Sequence, residues 1–192
     1  MGDTNLDTKR LFELFLRYNK LLGLHITNTF SEDLKFSFGV SEFSGMLQDY
    51  KACLSLIPAF SFVGHFGYEN RGVLCSLDSR IVSVSGNRCF GGAGLVEDGE
   101  KHSLTLSEQF IGKEYVSIVE KFLSRRDCPI AFTRMEYHID RSHLFFSDEQ
   151  VFFVDMKCSI QSHDVGSMVF VYPLQFVKQE SSRWLEELNT HE

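Results

Sequence analysis

Hydrophobic and polar positions follow two rhythms along this chain, and the changes between them mark its elements. From 7 to 24 the spacing is helical: Leu11, Phe15, Tyr18 and Leu22 share one face, with Lys9, Arg10, Arg17 and Lys20 among the other positions. Gly23 is expected to loosen the end of that helix. A strand is predicted over 34–38 and a short helix over 43–50. The apolar and aromatic runs 52–58 and 60–68 have the character of buried strands. Asn70-Arg71-Gly72 marks a turn into a strand over 73–77.

Asp78 stands at an N-cap position, and Ile81, Val82 and Val84 lead along a helix toward the tetrapeptide Gly91-Gly92-Ala93-Gly94. The acidic stretch 95–103 contains Gly99 and is predicted as loop. Thr105-Leu106-Ser107-Glu108 then has the form of a capping box, hydroxyl and carboxylate each meeting an orphan N–H. It opens a helix with Ile111, Ile118, Val119 and Phe122 inward, closing at Ser124-Arg125-Arg126, where two cations suit the negative helix end. Strands follow over 130–139, 151–160 and 168–172. Pro173 breaks the last, and Leu174, Val177, Leu185 and Leu188 carry a closing amphipathic helix. Helix, strands, helix thus occurs twice. The pattern predicts one α+β domain over 1–192, in two similar halves of about 5–94 and 103–190, with an antiparallel-rich sheet covered by helices.

Composition sharpens this picture in a few respects. The 192 residues suffice for a full core, and 43% hydrophobic with 23% charged residues is ordinary globular composition. Nineteen phenylalanines against one tryptophan imply an aromatic core, with an apolar surface for a partner as the alternative. A net charge of −7 argues against nucleic acid, whose phosphates need a basic face. No apolar run approaches the roughly 20 residues that span a bilayer. The start Met1-Gly2-Asp3-Thr4-Asn5 lacks secretory signal regions, and Leu6 stands where myristoylation wants Ser or Thr. Five widely spaced cysteines (53, 75, 89, 128 and 158) read as reduced thiols of a cytosolic protein.

Catalytic patterns find little footing. A phosphate-binding glycine loop follows a strand and opens a helix. Gly91–Gly94 instead follows a helix and enters a loop with Glu97, Asp98 and Glu100. His138 and His143 flank Asp140 on a strand and the turn after it, pointing in unlike directions, so no metal site is expected. Ser85-Gly86 lacks the first glycine of a nucleophile elbow. Neither cofactor nor catalytic residue is predicted. The glycine patch remains. A C′ cap needs one glycine, and three in four residues sacrifice backbone order, which calls for a further reason.

The ordered set of motifs resembles the middle domain of the flagellar motor switch protein FliM, which shares its fold with the CheC and CheX phosphatases. The resemblance runs from about Leu6 to Leu188. It rests on Arg10-Leu11-Phe12-Glu13 to Leu22, on Leu54-Ser55-Leu56-Ile57-Pro58, and on Arg71-Gly72-Val73-Leu74-Cys75-Ser76-Leu77-Asp78. It continues through Phe90-Gly91-Gly92-Ala93-Gly94, Ser103-Leu104-Thr105-Leu106-Ser107-Glu108 and Gly166-Ser167-Met168-Val169-Phe170-Val171-Tyr172-Pro173. The resemblance implies an α/β/α layered, pseudo-twofold CheC-like fold in a non-enzymatic component of the cytoplasmic C-ring. That ring lies peripheral to the inner membrane at the flagellar basal body and serves motility and rotation switching. It also implies that Phe90, Gly91, Gly92, Ala93 and Gly94 contact a FliG-like rotor protein. On that view a bare backbone admits the partner, and Gly92→Trp is expected to abolish capture while leaving the fold unchanged.

The same resemblance implies lateral self-association in a ring, the helix at 7–24 of one subunit facing that at 105–124 of the next. Arg10 and Arg17 would then meet Glu114 and Glu120. Two departures matter: no room for the family's CheY-binding peptide precedes the first helix, and no FliN-like domain follows the last. A FliN-like partner is therefore left open, and Met135-Glu136-Tyr137-His138 lacks the Asn-Pro usual after the family's acidic residue. A type III secretion ring component and a phosphatase of a phosphorylated response regulator are the alternatives. The phosphatase motif is absent from both long helices, where Glu13 precedes Leu16 and Glu108 precedes Ile111. Only Ser182, Glu186 and Asn189, on the closing helix, match its spacing.

Overall fold

The computed structural model describes residues 8–68, 71–94, 103–124 and 130–190. The chain order is α1 (Thr8–Leu34), β1 (Phe38–Asp49), α2 (Tyr50–Leu54), β2 (Phe60–Tyr68), β3 (Arg71–Asp78) and α3 (Ser79–Cys89). There follow α4 (Leu106–Leu123), β4 (Ala131–His138), a 3-10 turn (Ile139–Arg141), β5 (Gln150–Ile160), β6 (His163–Pro173) and α5 (Leu174–Thr190). The six strands form one antiparallel sheet in the order β1-β5-β6-β3-β2-β4. Exchanging the first six elements with the last six reverses this order onto itself. β1 pairs with β5 and β4 with β2, so each edge strand is held by the other half of the chain.

Strand alternation sends side chains to two unequal layers. Phe152, Val154, Phe170 and Tyr172 join the larger core under α1, α3, α4 and α5. Val151, Phe153, Val169 and Val171 join a smaller one with Tyr50, Cys53 and Ile139, covered by α2 and the 3-10 turn. Many of the phenylalanines line the larger core. Trp184 of α5 stacks on Tyr18 of α1 at 4.2 Å between ring centres and 13° between planes. Phe30 of α1 lies on Tyr115 of α4 at 3.5 Å, and Tyr18 meets Phe122 at 5.4 Å, so α1 and α4 run antiparallel. Within α1, Asn19 is fully buried; its amide donates to the Phe15 carbonyl (2.9 Å) and accepts from the Tyr172 hydroxyl (3.0 Å). Those bonds satisfy both ends of a polar group in an apolar layer.

Five elements differ from the sequence expectation. The strand expected over 34–38 is the end of α1 and the connection after it, with only Phe38 in β1. Gly23 does not end α1, which runs on to Leu34 and stops before Lys35 at φ 58°. A Cβ on Gly23 would meet the Phe43 ring at 2.7 Å, so this glycine clears space for β1. The segment 43–50, expected helical, is the body of β1 as far as Asp49, with only Tyr50 in α2, because ladder pairing from Phe43↔Met156 to Asp49↔Gln150 outweighs local spacing. A bulge between Val40 and Phe43 had disturbed the alternation that identifies a strand. The run 52–58, expected as a strand, is instead the end of α2 and the turn after it. On α5, Trp184 and Leu188 point inward while Leu185 is exposed.

The smaller core contains a buried histidine that the sequence did not reveal. His65 on β2 is fully buried, and its Nε2 lies 2.8 Å from the Ser142 hydroxyl; the Ser142 carbonyl in turn accepts from the Tyr50 hydroxyl at 2.5 Å. Burial, and second the nearby Arg134 guanidinium, hold its pKa at about 4 instead of 6.5. Between those two values the unfolded chain binds the proton that the fold refuses. Its contribution is therefore complete above pH 6.5 and lost as pH falls toward 4, about 3 kcal/mol in all. The urea midpoint should drop between pH 7 and 4.5, and His65→Gln should flatten that slope. An equal slope in the variant would assign the acid sensitivity to other groups.

Candidate functional site

The predicted contact patch sits at the tip of α3, and local chemistry explains its shape. Asp78 caps the start of α3 by accepting from the Arg80 amide at 2.9 Å, and its carboxylate pairs with the Arg80 guanidinium. At the other end the Gly91 N–H donates to the Arg88 carbonyl (3.0 Å) and the Gly92 N–H to the Asn87 carbonyl (2.8 Å). With Gly91 at φ 82°, this is a Schellman closure, which satisfies two orphan carbonyls of the last turn. Beyond it, the Gly94 N–H donates to the Asn87 side-chain oxygen at 2.7 Å, and Gly94 holds φ 67°.

Each of the three glycines thus has a reason within the chain. Gly91 meets nothing within 4 Å but needs its positive φ. A Cβ on Gly92 would overlap the Asn87 side-chain amide, and one on Gly94 would strike the Arg88 side chain as well as being strained by its φ. The expectation for Gly92→Trp is corrected accordingly: any side chain there must first displace Asn87, so loss of binding would not isolate a contact. What the tip offers outward is Phe90, 71% exposed, beside exposed Gly91 and Ala93. Sequence reasoning found the glycines but missed Asn87 and Arg88. The visible signal was a hydrogen-bonding Asn in the last helical turn before a glycine cluster.

The other candidates are not gathered into a site. Arg10 and Arg17 are exposed on α1 and Glu114 on α4, whereas Glu120 is half-buried and accepts from the Phe132 N–H at 2.7 Å. Glu120 is therefore engaged by β4 of its own chain. Ser182, Glu186 and Asn189 lie exposed on α5, and Glu108 is buried in the capping box with Thr105. His138 packs edge-on against Phe60 at 5.5 Å and His143 is exposed. Glu97, Asp98, Glu100, Arg125 and Arg126 lie outside the described residues. Among the described residues no helix is long and apolar enough to cross a membrane. Leu106 and Phe110, one turn apart on α4, are exposed at 84% and 59%.

Such a sheet, with long helices on one face and short ones on the other, defines a class of α+β protein shared by known structures. The chain has the fold of the FliM middle domain. It matches a chain of the FliG–FliM complex from H. pylori with TM-score 0.74 and 15% identity, over 91% of this chain and 98% of that one. The FliM middle domain from H. pylori matches at 0.73 and 13%, over 91% and 98%. That of Vibrio alginolyticus matches at 0.70 and 14%, over 88% and 96%. Comparison with protein-family models and with curated protein sequences finds no match. At these identities the likeness is one of fold.

Proposed function

We propose that this chain is a structural, non-enzymatic component of a flagellar motor switch ring, docking a FliG-like rotor protein through the tip of α3. The carrying observation is the FliM-middle-domain fold over some nine-tenths of the chain, in a domain solved elsewhere together with FliG. The outward Phe90 supports the choice of surface, since aromatic side chains are enriched at protein–protein interfaces. The ring would lie on the cytoplasmic side of the inner membrane at the basal body. Side-by-side self-association through Arg10, Arg17 and Glu114 would set register, each exposed pair contributing only ~0–1 kcal/mol.

The test is co-purification of the tagged chain with FliG of the same organism, followed by calorimetric titration of the two pure proteins. Saturable binding at one-to-one ratio is expected. No binding at protein concentrations of ~100 μM would exclude the rotor role, because that leaves an interaction energy below about 5.5 kcal/mol.

A further inference from the structure

The tip of α3 is tied down more firmly than helix termination requires. The Schellman closure uses only main-chain groups and is complete at Gly92. Two side chains of the last helical turn then act beyond it. Asn87 lies under the bare Cα of Gly92 and holds the Gly94 N–H on its side-chain oxygen at 2.7 Å. Arg88 lies against Gly94 and donates from its guanidinium to the side-chain oxygen of Gln161. Gln161 and Ser162 form the two-residue turn between β5 and β6 with φ 51° and 67°, so a tight hairpin anchors the far side. The loop is thereby pinned from below by α3 and from the side by the β5–β6 turn.

We infer that Asn87 and Arg88 are positioning residues that hold the Phe90–Gly94 loop in the single conformation on which a rotor partner docks. This rests on the docking proposal above and deepens it. Gly92 and Gly94 are bare because these two side chains occupy the space a Cβ would take. The partner then meets a loop whose ordering cost was met on folding, and affinity gains by that amount. Phe90 makes the contact, while Asn87 and Arg88 act through the backbone.

Five variants of the full chain test this against FliG of the same organism: Asn87→Ala, Asn87→Asp, Arg88→Ala, Gln161→Ala and Phe90→Ala. Binding, melting temperature and hydrogen exchange at the Gly94 amide are measured for each. Asn87→Ala should weaken binding about five- to tenfold, the worth of one hydrogen bond. It should also speed Gly94 exchange at least about tenfold while the melting temperature moves by less than ~2 °C. Asn87→Asp keeps an acceptor oxygen and should restore binding to within about twofold. Gln161→Ala cuts the side tie alone and should weaken binding, whereas Arg88→Ala cuts the same tie and also removes the side chain against Gly94, so its loss should be at least as large. The inference is overturned if Phe90→Ala weakens binding but Asn87→Ala does not, or if Ala and Asp at 87 are equally impaired. Unchanged binding in Gln161→Ala removes the side tie. If Phe90→Ala leaves binding intact, the docking proposal itself fails.

Discussion

Phe90→Arg should abolish capture of a FliG-like protein while leaving the fold intact. Phe90 is the C-cap residue of α3 and 71% exposed, so its ring makes little use of the core. Burying a phenylalanine ring against a partner is worth roughly 1.5–3 kcal/mol, and an arginine in its place would bring an unpaired charge into the contact. Together these predict a rise in Kd of at least about a hundredfold. The intrinsic cost to the free protein is that of a surface substitution, within about 0.5 kcal/mol, or ~2 °C in melting temperature. The alanine and arginine variants should therefore form a graded series in binding and a flat one in melting. Capture that survives Phe90→Arg would move the docking surface elsewhere, with exposed Leu106 and Phe110 on α4 the next surface to test.

Trp184→Ala should produce the opposite profile, a large loss of stability. Trp184 is 1% exposed, stacks on Tyr18, and lies within 6.4 Å of the Phe15, Tyr172 and Phe176 rings. It thus joins α5, α1 and β6 in one aromatic cluster. Truncation leaves a cavity among rigid rings that cannot collapse into it, at a cost of about 3–5 kcal/mol. For a chain of this length the melting temperature should fall by ~6–20 °C. Its indole N–H has no acceptor among the described residues, so Trp184→Phe removes volume without breaking a hydrogen bond. Phenylalanine should recover more than half of the loss. A melting temperature within ~2 °C of the parent in Trp184→Ala would mean that α1 and α5 are held by other contacts.

Different parts of the chain were legible for different physical reasons. The capping box at Thr105 and Glu108 is legible in the sequence, because both of its bonds join residues three apart and need nothing else from the fold. The same holds for Asp78 at the start of α3. Strand β1 is hidden in the sequence because Phe43, Met46 and Leu47 fit helical spacing, and only β5, more than a hundred residues later, makes that segment a strand. Gly23 is a packing contact inside α1 and not a helix ending, since the Phe43 ring that needs its space arrives from another element.

The tip of α3 divides in the same way. That a chain reversal falls at Gly91–Gly94 follows from residue chemistry, since Gly91 alone supplies the φ of 82° that ends the helix. Why Gly92 and Gly94 are also bare depended on where Asn87 and Arg88 place their side chains, and the Arg88 tie ends on Gln161, 73 residues away. His65 was silent for a related reason: its pKa near 4 comes from burial and from Arg134 on a neighbouring strand.

By itself the sequence determined the interactions whose partners are a few residues apart: caps, the inward faces of α1 and α4, and the glycine that ends α3. Only the tertiary structure decided the exchange of edge strands between the two halves, the aromatic cluster around Trp184, and the side chains beneath the loop. Those depend on groups far apart in the chain, and their energies appear only when burial removes water and fixes distances.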